Sequence, residues 1–172
     1  MPGSGPWAGA GDAGAGDGPR MLGLADGALP DDASVFDQSL PGVANLDAEL
    51  LGAVRRAAQA AAADGEHLVV DSGWRSRDYQ AHLLTEAVAT YGSADEAARW
   101  VAAPDRSEHV RGHAIDLGPK SAAAWLGEHG AAYGLCRTYD NEPWHFELRP
   151  AAATSGCPAP YADPTHDPRM HQ

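Results

Sequence analysis

The stretch that most constrains this chain is Ser107-Glu108-His109-Val110-Arg111-Gly112-His113-Ala114-Ile115-Asp116, taken together with Glu142-Pro143-Trp144-His145. His109, Asp116 and His145 supply two imidazoles and one carboxylate, the donor set of a catalytic zinc that keeps a fourth position open. Buried carboxylates and histidines are costly unless paired or bound to a cation, so core packing alone does not generate this spacing. Any fold must therefore bring the two segments into one polar cluster. Glu142 precedes the last histidine on a turn and is the natural general base, able to take a proton from attacking water and pass it to a leaving amine. The helical motif His-Glu-x-x-His is absent. His109 and His113 have i,i+4 spacing, but Gly112 and the β-branched Val110 and Ile115 disfavour a helix there, which leaves His113 as a rim residue.

The flanking sequence predicts the elements that carry this cluster. Asp47 can cap a helix, with Leu46 and Leu51 at the positions of a hydrophobic staple. Leu50, Leu51, Val54, Ala57, Ala58 and Ala61 then recur at helical steps up to Gly65. His67 to Asp71 is short, β-branched and bounded by turn residues, which suits a buried strand with Trp74 and Arg75 at its end. Ser76 can cap a second helix, which Gly92 stops. Ser93-Ala94-Asp95-Glu96 has the capping-box form and starts a short helix through Trp100. Ala114 and Asp116 alternate with Ile115 and Leu117 as in a strand. Ser121 is a candidate cap for a helix ending at Gly130. Leu135 to Thr138 and Trp144 to Leu148 read as a hairpin, with the intervening residues supplying its turn.

These elements predict an α+β fold, with helices packed on one side of a small, mainly antiparallel sheet that carries the metal site on its open face. Residues 1–30 are rich in Gly and Ala and are expected to form a flexible lead, Trp7 included. Organised structure is expected from about Asp47, within a domain spanning 31–150. Residues 151–172 are Pro-rich and are expected to pack on that domain without regular structure.

The formal net charge of −12 argues against nucleic acid or an anionic membrane surface as the main partner. No apolar stretch approaches the ~20 residues of a membrane span, and Met1 to Arg20 lacks the pattern of a secretory signal. Neither Cys136 nor Cys157 lies in a C-x-x-C pair. Arg75, Arg77, Arg99, Arg106 and Arg111 fall in one stretch around the proposed site, where they would place a local positive potential.

Ser-x-His-x-x-Gly-x-Ala-x-Asp followed by Glu-x-Trp-His resembles the signature of the VanY-type zinc D-alanyl-D-alanine carboxypeptidases, on the hedgehog-like peptidase fold. The likeness extends to Ser72-Gly73-Trp74-Arg75-Ser76 and Gln80 and covers roughly residues 45 to 150. It implies zinc held by His109, Asp116 and His145, with Glu142 and Arg75 catalytic. Arg75 would then stabilise the oxyanion, although its forked donors suit a nearby carboxylate equally well. Gln80 and Ser107 match substrate-contacting positions of the family, and either can equally be a local polar support. Trp74 and Trp144 are core or pocket wall, and in the second case touch substrate.

The substrate implied is a peptidoglycan stem peptide or another precursor ending in D-Ala-D-Ala, cut by a monomer. Two alternatives are an endolysin-type peptidase cutting L-alanyl-D-glutamate, and a zinc-stabilised binding domain without catalysis. The resemblance also implies an extracellular or cell-envelope protein whose leader or anchor is missing from this chain, the alternative being cytoplasmic. For an exported protein, an even cysteine count then suggests a Cys136–Cys157 disulfide.

Overall fold

The computed structural model describes residues 21–172. Residues 1–20 of the expected lead, with Trp7, lie outside the described residues. Four antiparallel strands form one sheet: β1 (Val69–Ser72), β2 (Ala114–Gly118), β3 (Leu135–Arg137) and β4 (His145–Leu148), in the spatial order β1-β2-β4-β3. The expected hairpin is the β3–β4 pair, and β4 also lies beside β2. β1 starts two residues later than its composition suggests, because Val69 is the first residue to find a partner, Gly118.

Period-two alternation divides the sheet into two chemically distinct faces. Ile115 stands opposite Phe146, and Val70 opposite Leu117; all four are fully buried in the apolar core. Asp116 stands opposite His145, and Ala114 opposite Glu147, which puts the polar side chains on the other face. The β1–β2 register shifts between Val70 and Ser72. That irregularity lets Val70 stay in the core while Ser72 faces Asp116.

The apolar face is covered by α2 (Ala48–Ala63) and α5 (Lys120–His129). In α2 the Asp47 carboxylate accepts from the Leu50 amide at 3.2 Å, while Leu46 and Leu51 are both buried, as the staple requires. α3 (Arg77–Tyr91) begins at Ser76, whose hydroxyl accepts from the Tyr79 amide, and ends at Gly92 with φ +84°. α4 (Ala94–Ala98) is capped by Ser93 and stops before Trp100. α3 packs with α4 and stands beside the polar face as a wall of the cleft.

Three expectations are corrected. Ser121 does not cap α5; Pro119 holds the N-cap position, and the Ser121 hydroxyl, already inside the helix, donates to Glu66 instead. Organised structure starts well before Asp47. Leu24–Asp26 forms a 3-10 turn whose buried Asp26 accepts from the Ser76 hydroxyl, and α1 (Pro41–Ala44) follows. Residues 21–30 are therefore part of the packed structure and not a flexible lead. Beyond Pro150 the chain is not irregular throughout. It forms α6 (Ala152–Ser155) and two 3-10 turns, Pro164–His166 and Pro168–His171. Proline is tolerated at the first position of a helix, where its missing N–H would have no partner, and aspartates 163 and 167 cap the two turns.

Candidate metal centre

Strand pairing of Asp116 with His145 sets two of the cluster's side chains on one face. His109 joins them from the loop before β2. That loop turns at Gly112, whose φ of +77° suits only a residue without a side chain. The His109, Asp116 and His145 ligand atoms all lie within 4.8 Å of one another, and the three residues are 6, 2 and 4 % exposed.

Each imidazole has one nitrogen occupied and one free for the centre. His109 Nδ1 donates to the Gly73 carbonyl at 2.9 Å, which turns its Nε2 inward. His145 Nε2 donates to Glu147 Oε1 at 2.9 Å, which turns its Nδ1 inward. Both inward nitrogens stand 3.3 Å from Asp116 Oδ1. Neither contact has hydrogen-bond geometry, so this carboxylate oxygen is buried without a hydrogen-bond partner. A buried anionic oxygen flanked by two imidazole nitrogens is what a bound cation would satisfy, and the residues present fit one.

Arg75 braces the same carboxylate from behind. Its guanidinium donates to Asp116 Oδ2 at 3.1 Å, to the Ser72 hydroxyl at 2.7 Å and to Gln80 Oε1 at 3.0 Å. Burial alone would raise the Asp116 carboxyl, but His109, His145 and Arg75 outweigh it and hold it far below the usual carboxylate range. Glu142 lies beside His145, with 3.6 Å between its Oε2 and Nδ1. Burial pushes the Glu142 carboxyl up to about 7, with His145 opposing and Asp116 adding to the rise.

The structure sorts the expected substrate contacts. Arg75, Gln80, Ser107 and Trp144 line the cleft together with Tyr139. Gln80 is 1 % exposed, and its amide is engaged by Arg75 and by the Ala102 carbonyl, so it supports the guanidinium. Ser107 is buried and its hydroxyl accepts from the Val110 amide, a local turn contact. Trp74 is the exception: it packs against the core and does not line the cleft. His113 is exposed and stands beside Glu108, outside the group of three donors. Of the five arginines in that stretch, Arg75, Arg99 and Arg111 are paired with Asp116, Asp163 and Glu108.

A family model described as D-alanyl-D-alanine carboxypeptidase, VanY, matches residues 43–151, well over half of the chain. The chain belongs to the VanY family. A D-alanyl-D-alanine carboxypeptidase of Enterococcus faecalis (strain ATCC 700802 / V583) is 33% identical over 112 residues, 51% of this chain and 42% of the relative. The chain thus matches under half the length of that relative. Among solved structures, VanYB in complex with D-alanine-D-alanine has a TM-score of 0.60 at 28% identity, over 64% of this chain and 75% of that one. The VanY D,D-pentapeptidase of the VanB-type vancomycin resistance cassette, a glutamate-to-alanine mutant in complex with Zn(II), scores 0.57 at 29% identity, over 60% and 72%. The LD-carboxypeptidase LdcB scores 0.58 at 25% identity, over 74% and 71%.

Sequence reasoning placed Ser72 and Gly73 in the VanY motif without a role, and missed Glu147 and Arg169: the Ser72 hydroxyl accepts from Arg75 and the Gly73 carbonyl from His109. Glu147 carried a readable signal. It lies two residues after His145 in a strand and so must share its face. Arg169 carried none, because nothing local ties it to Glu147.

Proposed function

We propose that this protein is a zinc-dependent D-alanyl-D-alanine carboxypeptidase that removes the terminal D-alanine from peptidoglycan stem peptides or related dipeptides. The observation that carries the reading is the buried, unpartnered Asp116 Oδ1 between His109 Nε2 and His145 Nδ1, with Glu142 at its edge. His109, Asp116 and His145 would hold the zinc, which when bound polarises the scissile carbonyl and acidifies water. Glu142 takes the proton of the attacking water as its oxygen bonds to the carbonyl carbon. The same carboxyl then returns that proton to the amine nitrogen as the C–N bond breaks, releasing D-alanine. A base poised near neutrality serves both transfers, and burial of Glu142 is what raises it there.

Arg75 has five donors, of which three are engaged. Arg75 also lines the cleft, where its remaining N–H groups would meet the developing oxyanion or the substrate's terminal carboxylate. Trp144 forms part of the wall against which the peptide lies. A Cys136–Cys157 disulfide suits an oxidising compartment outside the cytoplasm, in keeping with a cell-wall substrate.

Mass spectrometry of a UDP-muramyl-pentapeptide digest tests the reading, with and without a chelator. Loss of one D-alanine, abolished by chelation and restored by zinc, is the expected result. The likeness to an LD-carboxypeptidase makes the tetrapeptide the informative second substrate. Cleavage of the tetrapeptide alone would move the assignment to the L,D bond, and cleavage between L-alanine and D-glutamate would make the protein an endopeptidase. No cleavage of any bond by zinc-loaded protein would leave a binding domain.

A further inference from the structure

Glu147 is a buried carboxylate that the reaction above does not use. It is 1 % exposed, and its Oε1 accepts from His145 Nε2 at 2.9 Å. Two arginines hold its other oxygen, Arg149 at 3.0 Å and Arg169 at 2.9 Å. Arg169 also reaches Oε1 at 3.3 Å. Arg149 follows β4 directly, whereas Arg169 comes from the terminal 3-10 turn, 22 residues after Glu147. Asp167 fixes that guanidinium, accepting from it at 2.6 Å, and is itself bonded to the Tyr139 hydroxyl at 2.7 Å.

The two nitrogens of an imidazole are not equivalent, and the one that donates determines which is left for a ligand. We propose that Glu147 is a positioning residue for the metal centre. It keeps Nε2 of His145 as the donor, so that the Nδ1 lone pair points at the cation beside Asp116 Oδ1. Arg169, from a turn outside the family-matched residues 43–151, supplies the counter-charge that keeps Glu147 in place. Two observations carry this. Burying an ionised carboxylate requires compensation, and Arg169 and Arg149 give it on the side away from the metal. A carboxylate accepting from a ligand histidine fixes ring orientation and raises the basicity of the coordinating nitrogen. The C-terminal segment is therefore part of the metal-binding unit, and not an appendage to a domain ending at residue 150. The inference rests on the reading of His145 as a ligand.

Chelator competition on the full chain measures the effect directly. Glu147→Gln keeps a hydrogen-bond acceptor but removes the charge, and zinc affinity should fall about 10- to 100-fold, the usual cost of losing such a partner. Arg169→Met should weaken zinc in the same direction, because Glu147 then loses one of its two cations. Affinity in Glu147→Gln within twofold of wild type would overturn the proposal. His145→Ala serves as the control for the underlying reading: if it still binds one tight zinc, His145 is not a ligand and that reading fails first. Nitrogen-15 NMR of the zinc-loaded wild type decides the matter even if Glu147→Gln does not fold. A proton on Nε2 of His145 supports the proposal, and a proton on Nδ1 overturns it.

Discussion

At the scale of single residues, the centre separates groups that would hold a cation from groups that would move protons or charge in the proposed reaction. Glu142 touches His145 but does not face Asp116 Oδ1 as the imidazoles do, so it can be removed without dismantling the donor set. Glu142→Gln should bind zinc as tightly as wild type yet lose roughly 10²–10⁴-fold in D-alanine release. Normal turnover in that variant would show that another group is the base. Arg75 belongs to both classes, since one guanidinium supports Asp116 and lines the cleft. Lysine keeps a charge there but cannot reach Ser72, Gln80 and Asp116 at once. Arg75→Lys should therefore lower kcat by about 10²–10³-fold, the scale of an oxyanion donor, and weaken zinc as well. A rise in KM alone would instead place the arginine on the substrate's carboxylate. Unchanged zinc affinity would show that its contact with Asp116 has no energetic consequence.

Elements deliver these side chains, and the loop from Ser107 to His113 is the most demanding. Gly112 adopts φ +77°, and a Cβ there would lie 2.7 Å from the Asn45 carbonyl oxygen. Its own carbonyl accepts from the Asp47 amide at 2.9 Å, so the loop that presents His109 is tied to the start of α2. Gly112→Ala should cost at least about 1–2 kcal/mol from the left-handed backbone alone. Because the clash moves the His109 loop, zinc affinity should fall with stability, and urea unfolding beside chelator competition would show both. The elements that sequence reasoning recovered are those with local signals: the Asp47 and Ser76 caps, the apolar steps of α2, the alternation of β2. The three-residue donor set, which the structure gathers, was legible for a different reason, since metal chemistry restricts the residue types and the family motif supplies their order. What was not legible depended on distant partners. Val69 begins β1 only because Gly118 lies opposite, and Ser121 lost the cap of α5 to Pro119. In the tail, four prolines masked a signal that was present, since Asp163-Pro164 and Asp167-Pro168 are each a cap followed by a first-position proline.

Across the whole molecule, one apolar face builds stability and one polar face builds the site, and the C-terminal segment closes the second. The segment is fastened along its length. Cys157 is bonded to Cys136 on β3, Tyr161 bridges to Tyr139, Asp163 accepts from Arg99, and Arg169 ends against Glu147. Pro164 and Met170 stand in the cleft wall, so the same fastening shapes the space above the metal centre. The disulfide joins residues 21 apart, and its loop contains the β3–β4 turn, Glu142 and His145. In the chain-entropy model, closing a loop of that size stabilises the native state by about 3 kcal/mol. Cys136→Ser with Cys157→Ser should therefore lower the unfolding free energy by about that amount in urea. Its second effect should be on the site: with the segment released at its start, Arg169 holds Glu147 less tightly, and zinc affinity should fall by more than in a control variant of equal instability such as Leu50→Ala. Leu50 is buried in the apolar core and is not among the cleft-lining residues, so its truncation, at about 2–5 kcal/mol, separates lost stability from lost fastening. Equal zinc affinity in the two variants would mean that the disulfide stabilises the fold without organising the centre.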